Sequence, residues 1–130
     1  MMDDNEPNLQ WIDDGGVTTP AGFSAGGVYT GVKTYGDEPR LDLGVLLADR
    51  DCAVAGVFTR SQVTGPAVSR NRELLASGRS GRAIFVNSGN ANTATGEQGV
   101  RDTETLAEWT GARVGIDAST VWVGSTGVSG

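Results

Sequence analysis

Histidine is missing from this sequence, cysteine occurs once, as Cys52, and lysine once, as Lys33. Without histidine the chain cannot build a Ser-His-Asp triad, a Cys-His pair or a His-based zinc site. A single cysteine excludes an internal disulfide and fits a reducing compartment. Long apolar runs are also lacking. A stretch such as Ala53 to Phe58 is far below the ~20 residues that a membrane-crossing helix needs. Basic residues are outnumbered, giving a net charge of −6, and residues 1–14 hold five acids and no base. That balance argues against nucleic acid and anionic membrane as partners. The same acidic start has neither the basic and apolar regions of a signal peptide nor the acid-poor character of a transit peptide, so a cytoplasmic protein is expected. Any chemistry must come from hydroxyls, amides, carboxylates or backbone N–H groups.

What the sequence has in excess is glycine, 20 of 130 residues, against an ordinary share of roughly 7%. Such content implies many tight turns or close backbone approaches. Hydrophobic residues at 38% and charged residues at 20% suit one globular domain. Residues 1–15 read as an acidic, unstructured tail, with Trp11-Ile12 as a possible anchor, and residues 16–130 as part of a single domain. No closing element follows the last strand, so this domain reads as truncated.

Pro20 and Gly22 mark a turn, Val28 to Lys33 a strand, and Tyr35 to Pro39 a second turn. Leu41 to Ala48 and Ala53 to Thr59 read as an antiparallel pair joined by Asp49-Arg50-Asp51-Cys52. Ser69 is the expected N-cap of a short helix that stops at Gly78. A second helix is expected from Gly96 to about Thr110, with Val100, Thr103, Ala107 and Thr110 on one face and Gly111 or Gly115 ending it. Val121-Trp122-Val123 is the last strand. Strands with two interposed helices predict an α+β fold or a layered α/β sandwich of the αββα type, incomplete in this chain.

The stretch from Ala83 to Gly96 organises the rest. Ala83-Ile84-Phe85-Val86 has the pattern of a strand buried on both faces. Ten residues of Asn, Ser, Thr, Gly and Ala follow, too polar to fill a core. Thr95, three residues before Gln98, predicts a capping box opening the second helix. Strand, polar loop and helix start is one way to place donors beside a small ligand. Turn geometry alone also accounts for the Asn residues. The Ser125-Thr126-Gly127 turn likewise follows a strand, and two such strand ends can line one pocket.

Other candidates reduce to ordinary roles. No Gly-Lys-Ser/Thr and no GxGxxG occurs, which excludes a phosphate loop. Cys52 has no histidine to activate it and reads as a packed small residue. Lys33 reads as a solvated charge. Asp37-Glu38 and Asp49/Asp51 read as turn acids, without metal-ligand spacing around them.

Taken together, the segments Val17-Thr-Thr-Pro-Ala-Gly-Phe-Ser-Ala-Gly-Gly-Val, Gly31-Val-Lys, Leu41-Asp-Leu, Ala55-Gly-Val-Phe-Thr and Pro66-Ala-Val carry a resemblance. Val86-Asn-Ser-Gly-Asn-Ala-Asn, Thr95-Gly-Glu-Gln-Gly and Ser125-Thr-Gly-Val complete it. In this order they resemble the ornithine acetyltransferase family of arginine biosynthesis, also called bifunctional glutamate N-acetyltransferase/amino-acid acetyltransferase, over roughly residues 17–130. The resemblance implies a chain that cuts itself into α and β pieces, with a threonine at the new β N-terminus as nucleophile. It implies acetyl transfer from N-acetylornithine to that threonine and then to glutamate, with no metal and no organic cofactor. It carries the oxyanion hole onto Thr126 and Gly127 and places the nucleophile and main substrate contacts beyond Gly130. This chain then corresponds to the N-terminal part of the α piece, partnered by its own β piece as a heterotetramer of two α and two β chains.

Three features bear on that correspondence. The family commonly has Ala-Cys-Thr-Gly where this chain has Thr93-Ala94-Thr95-Gly96, and Ile where Ser129 follows Val128. Ala94-Thr95-Gly96 also looks like an Ala-Thr cleavage site, but its expected role is a helix cap. Two alternatives stay open: a related self-processed aminopeptidase or amidohydrolase using water as acceptor, and a structural piece without activity of its own. Acetyl-CoA as a second donor is not legible here.

Overall fold

The computed structural model describes residues 9–129. Most of the expected acidic tail therefore lies outside the described residues. Residues 9–20 are exposed and without strand or helix. Trp11 is 92% exposed, so it does not anchor this segment to the body.

The elements run β1 (Phe23–Val28), β2 (Leu43–Cys52), α1 (Pro66–Ala76), β3 (Gly81–Asn87), α2 (Gly96–Val114), a short 3-10 turn (Ala118–Thr120) and β4 (Val121–Ser125). One sheet holds the four strands in the order β1-β2-β3-β4. β1 and β3 flank β2 antiparallel, while β4 lies parallel to β3. The parallel pair needs a crossover, and α2 supplies it. This is an α+β fold, as expected.

Both helices pack on one face of the sheet. Ala67 of α1 and Ala107 of α2 meet Ala83, Phe85, Val121 and Val123, with Leu43, Val45 and Leu47 completing the layer. Full burial of a side chain such as Phe85 contributes roughly 1.5–3 kcal/mol. The opposite face is not covered in the same way: Ile84 is 44% and Val86 37% exposed. The expectation that β3 is buried on both faces is thus corrected. Its apolar run is continuous, but only alternate side chains reach the helices.

Further boundaries differ for identifiable reasons. β1 ends at Val28, where the chain was expected to begin a strand, because Thr30 and Val32 direct their N–H groups to the Asp42 carboxylate instead of a ladder. The expected hairpin at Asp49–Cys52 does not form. β2 runs straight through it, since its partners are β1 and β3, and Ala53–Thr59 lies outside any strand. Part of that segment runs beside Leu46, Ile84 and Trp122, leaving a mostly apolar groove of about 480 Å³.

α1 begins with Pro66 at its first position and Gly65 as N-cap, a place where proline's missing N–H costs nothing. Ser69 is not the cap; it lies in the first turn, 3.0 Å from the Thr64 hydroxyl. The helix closes as expected at Gly78, with Arg79 and Gly78 donating to the carbonyls of Leu74 and Leu75. α2 extends past Thr110 to Val114 and ends at Gly115, in the left-handed conformation. Thr103, Ala107 and Thr110 are buried as expected, but Val100 is 53% exposed and Gly99 takes its place on the packed face.

Arg70 ties the helical layer to β4. Only 8% exposed, it donates to the carbonyls of Val121 at 2.6 Å and Ala118 at 2.9 Å, and to Glu104 at 3.0 Å. Asn71 on the next position adds a pair of bonds to Val123, through its amide N–H at 2.8 Å and its oxygen at 3.2 Å. Hydrogen bonds from charged donors contribute more than neutral ones, about 1.5–3 kcal/mol each. Arg70→Ala should therefore lower stability by about 2–4 kcal/mol in equilibrium unfolding of the full-length protein. Arg70→Lys should recover only part of this, because a single ammonium lacks the planar fork that reaches three acceptors. Thr95→Ala should cost well under the ~1 kcal/mol of a lost cap, for the reason given by the loop geometry below.

Candidate functional site

The sheet ends in one row, Val28–Leu43–Asn87–Ser125, across its four strands. Past this row lie the Thr30–Lys33 loop, Asp42, the Ser88–Thr95 loop and the Thr126–Gly127 turn. The C-terminal ends of parallel strands are a frequent place for ligand contacts in mixed sheets. Cys52 is at the other end of β2, paired with Gly81. Asp49 and Asp51, expected as turn acids, lie instead within β2, where Asp49 pairs with Arg50 at 2.8 Å and Asp51 with Arg82 at 3.7 Å.

The parallel β3–β4 ladder continues into the loops. Thr126 N–H donates to Asn87 O at 3.0 Å, Val128 N–H to Gly89 O at 3.1 Å, and Ala91 N–H to Val128 O at 2.9 Å. Asn90 and Val128 form an isolated parallel bridge. The Asn92 N–H donates to the Ser125 hydroxyl at 2.8 Å, and the Asn87 amide to Asn90 O at 2.9 Å. The two strand ends are therefore locked to each other, but among the described residues they do not line one pocket as expected.

Asn92 also fixes the start of α2. Its side-chain N–H donates to Gly99 O at 2.8 Å and to the Thr103 hydroxyl at 3.0 Å, and its oxygen accepts from the Thr95 hydroxyl. The expected capping box is absent. Thr95 has φ −102° and ψ 2° rather than the extended conformation of an N-cap, and its hydroxyl turns back to Asn92. Gln98 donates instead to Asp102 at 2.7 Å. Ala94, in the place where the family commonly has cysteine, adopts φ +55°, a conformation that costs a Cβ-bearing residue energy.

Thr126 and Gly127 are exposed at the tip of this arrangement. Among the described residues, neither the Thr126 hydroxyl nor the Gly127 N–H has a hydrogen-bond partner, while the flanking Thr126 and Val128 amides are both used. Gly127 has φ +128°, and a Cβ on it would lie 2.6 Å from Asn90 N and closer still to the Gly89 carbonyl. Only glycine can occupy so tight a contact. The result is two adjacent donors on a backbone held from one side by β3 and its loop. The Lys33 Nζ lies 5.2 Å from the Tyr35 ring centroid, and its Cβ lies beside Gly89.

Asp42 was legible only as part of a matching segment, with no role attached. It is 2% exposed, and its oxygens accept from Thr30 N–H at 2.7 Å, the Thr30 hydroxyl at 2.8 Å and Val32 N–H at 2.8 Å. Burial pushes its pKa up, but the Thr30 hydroxyl and the amides of Thr30, Val32 and Gly31 together outweigh it and hold the carboxyl below its usual value. The stabilisation this gives is complete above the ordinary aspartate pKa and is lost as pH falls through the lowered one. A buried acid between two apolar residues, Leu41 and Leu43, was the one signal available in the sequence.

A cavity of about 510 Å³ lies elsewhere, between the starts of α1 and α2, lined by Thr64, Ser69, Glu73, Thr95 and Glu104 among others. Neither Thr126 nor Gly127 lines it. No helix of the described residues is long and apolar enough to cross a membrane.

The family model for the ArgJ family matches residues 24–130. The arginine biosynthesis bifunctional protein ArgJ of Deinococcus radiodurans is 43% identical over 114 residues, covering 88% of this chain and 28% of that protein. The Streptococcus thermophilus protein of the same name is 37% identical over 120 residues, covering 92% and 29%. This chain thus spans under a third of the length of the relatives it matches. The crystal structure of ArgJ from Bacillus halodurans superposes with a TM-score of 0.84 at 35% identity, over 92% of this chain and 60% of that one. The ornithine acetyltransferase of Mycobacterium tuberculosis, solved in complex with ornithine, superposes with a TM-score of 0.79 at 43% identity, over 87% and 60%. With the family match extending over most of the chain and both solved structures sharing its fold, this chain belongs to the ArgJ family.

Proposed function

We propose that this chain is the N-terminal part of an acetyltransferase that moves an acetyl group from N2-acetylornithine to glutamate, with Thr126 and Gly127 as its oxyanion hole. One observation carries the assignment of these residues: two adjacent, exposed donors without partners among the described residues, on a turn whose flanking Thr126 and Val128 amides are both bonded. Family membership and the ornithine complex of the Mycobacterium tuberculosis neighbour support the substrate class.

In the first half-reaction a threonine hydroxyl, supplied from outside this segment, attacks the acetyl carbonyl carbon. The carbonyl π electrons move onto oxygen, and the hydroxyl proton passes to the amine. The intermediate collapses as the C–N bond breaks, releasing ornithine and leaving an acetyl ester. In the second half the glutamate amine attacks that ester, the C–O bond to threonine breaks, and a proton returns to the threonine oxygen. Each half passes through one tetrahedral oxyanion. Donors fixed before reaction and aimed at that oxygen stabilise it without reorganisation. No step calls on a cofactor.

The partly exposed apolar residues Ile84 and Val86 support a second layer over the open sheet face, contributed by the remainder of the protein. We assign that layer to the same self-cleaved enzyme, with the partner β piece in a heterotetramer of two α and two β chains. Residues 1–130 alone should then show no transferase activity; turnover by the purified segment would overturn the assignment.

In the full-length enzyme, Thr126→Ala should lower kcat about 10²–10³-fold, as loss of one such donor does elsewhere. KM should move much less, because the donor acts mainly in the transition state. Thr126→Ser, which keeps the hydroxyl, should retain most of the rate. Steady-state kinetics on correctly processed enzyme decide it, and near-normal kcat in Thr126→Ala sinks the role. Omitting glutamate separates this reading from a hydrolase: ornithine release should then stop after the enzyme is acetylated, whereas a water-using relative continues.

A further inference from the structure

Gly89 is held between two neighbours, and only one of them belongs to the turn just described. On one side is the Gly127 backbone, so close that a Cβ on Gly127 would run into the Gly89 carbonyl. On the other side is the Thr30–Lys33 loop: a Cβ on Gly89 would lie 3.0 Å from Lys33 Cβ and 3.5 Å from Val32 Cγ1. Gly89 itself has φ +112°, so its conformation depends on what presses against it. The position of the Thr126–Gly127 donors therefore depends on the loop behind Gly89.

That loop is not built by a ladder. It is gathered by one buried carboxylate, Asp42, through Thr30 N–H, Thr30 hydroxyl and Val32 N–H. The same residue holds the β3 side with its main chain: Asp42 O accepts from Ser88 N–H at 2.7 Å, and Asp42 N–H donates to Val28 O at 3.1 Å. All of these partners are neutral. A buried carboxylate without a countercharge is expensive unless its hydrogen bonds compensate, and here they gather one loop and one strand end at the same point.

We infer that Asp42 is a positioning residue for acetyl transfer, setting the Thr126–Gly127 donors by pressing the Thr30–Lys33 loop against Gly89 and bonding Ser88. This rests on the oxyanion reading of Thr126 and Gly127 and deepens it. Asp42 touches no reacting atom, so its removal acts through geometry. A small misplacement of prepositioned groups can cost up to about 10²-fold in rate.

The test is kinetic, in full-length processed enzyme, with N-acetylornithine and glutamate as substrates. Asp42→Asn keeps the shape but replaces one acceptor with an N–H₂ group. Its kcat should fall about 10- to 100-fold with KM little changed. Combined with Thr126→Ala, its loss should shrink well below that of the single variant, because the Thr126 share of the misplacement is already gone and only the Gly127 N–H is left to be misplaced. A merely structural role would give independent, multiplying losses. Should Asp42→Asn not fold, Thr30→Val removes one hydroxyl donor and leaves the carboxylate; it should show the same kcat-specific, non-additive loss at smaller size. Thr30→Ser, which restores the hydroxyl, should recover most of it. Parent kcat in folded Asp42→Asn, an effect on KM alone, or multiplying losses would overturn the inference. Near-normal kcat in Thr126→Ala removes the oxyanion reading and this inference with it, whereas a slow Thr126→Ala beside a normal Asp42→Asn removes this inference alone.

Discussion

The contact between Gly127 and the Gly89 peptide is the constraint on which the working end of the sheet depends. It brings two turns, each leaving a strand of the parallel β3–β4 pair, to a distance that excludes a side chain on Gly127. The ladder bonds on either side, Thr126 to Asn87 and Val128 to Gly89, fix the turn without using the Gly127 N–H or the Thr126 hydroxyl. Rigidity and free donors thus have one origin. A longer or looser turn would satisfy those groups internally, and a bulkier residue would break the register.

The polar loop between β3 and α2 is explained by the same geometry. Its backbone must be fixed without a neighbouring strand on every side, so short amides and hydroxyls take the place of a ladder. Asn92 bonds to Ser125, Gly99, Thr103 and Thr95, joining the end of β4 to the first turns of α2. The side chain serves three of these points and the main-chain N–H the fourth, Ser125. The abundance of Asn and Ser, which turn preference alone could explain, is here a set of specific fasteners.

Farther from the site, Arg70 and Asn71 repeat this logic with the carbonyls of Val121, Ala118 and Val123. β4 is the last strand in the sheet order and, among the described residues, has a ladder partner only in β3. Side chains from α1 serve the main-chain groups that a fifth strand would otherwise take. The core itself is small, built largely from alanine and valine against Phe85, so polar ties carry more of the order than in a larger domain.

What the sequence by itself determined is local and periodic. Gly78 and Gly115 end the helices; the spacing of Thr103, Ala107 and Thr110 sets the packed face of α2; Val121 to Val123 marks a strand. The Ser125-Thr126-Gly127 turn and the loop after Val86 were also readable, because small polar residues after an apolar run have few other uses. Pairing was not readable. β2 runs through Asp49–Cys52 because β1 and β3 were available beside it, a fact about distant segments that no local charge pattern encodes. The burial of one face of β3 rather than both, the turning of Thr95 away from its cap, and the gathering of the Thr30–Lys33 loop by Asp42 were likewise decided by tertiary structure. Strand pairing, the side of β3 that meets the helices and the Thr30–Asp42 bonds each join segments far apart in the chain, and Thr95 turns to an Asn92 that Ser125 of β4 holds in place.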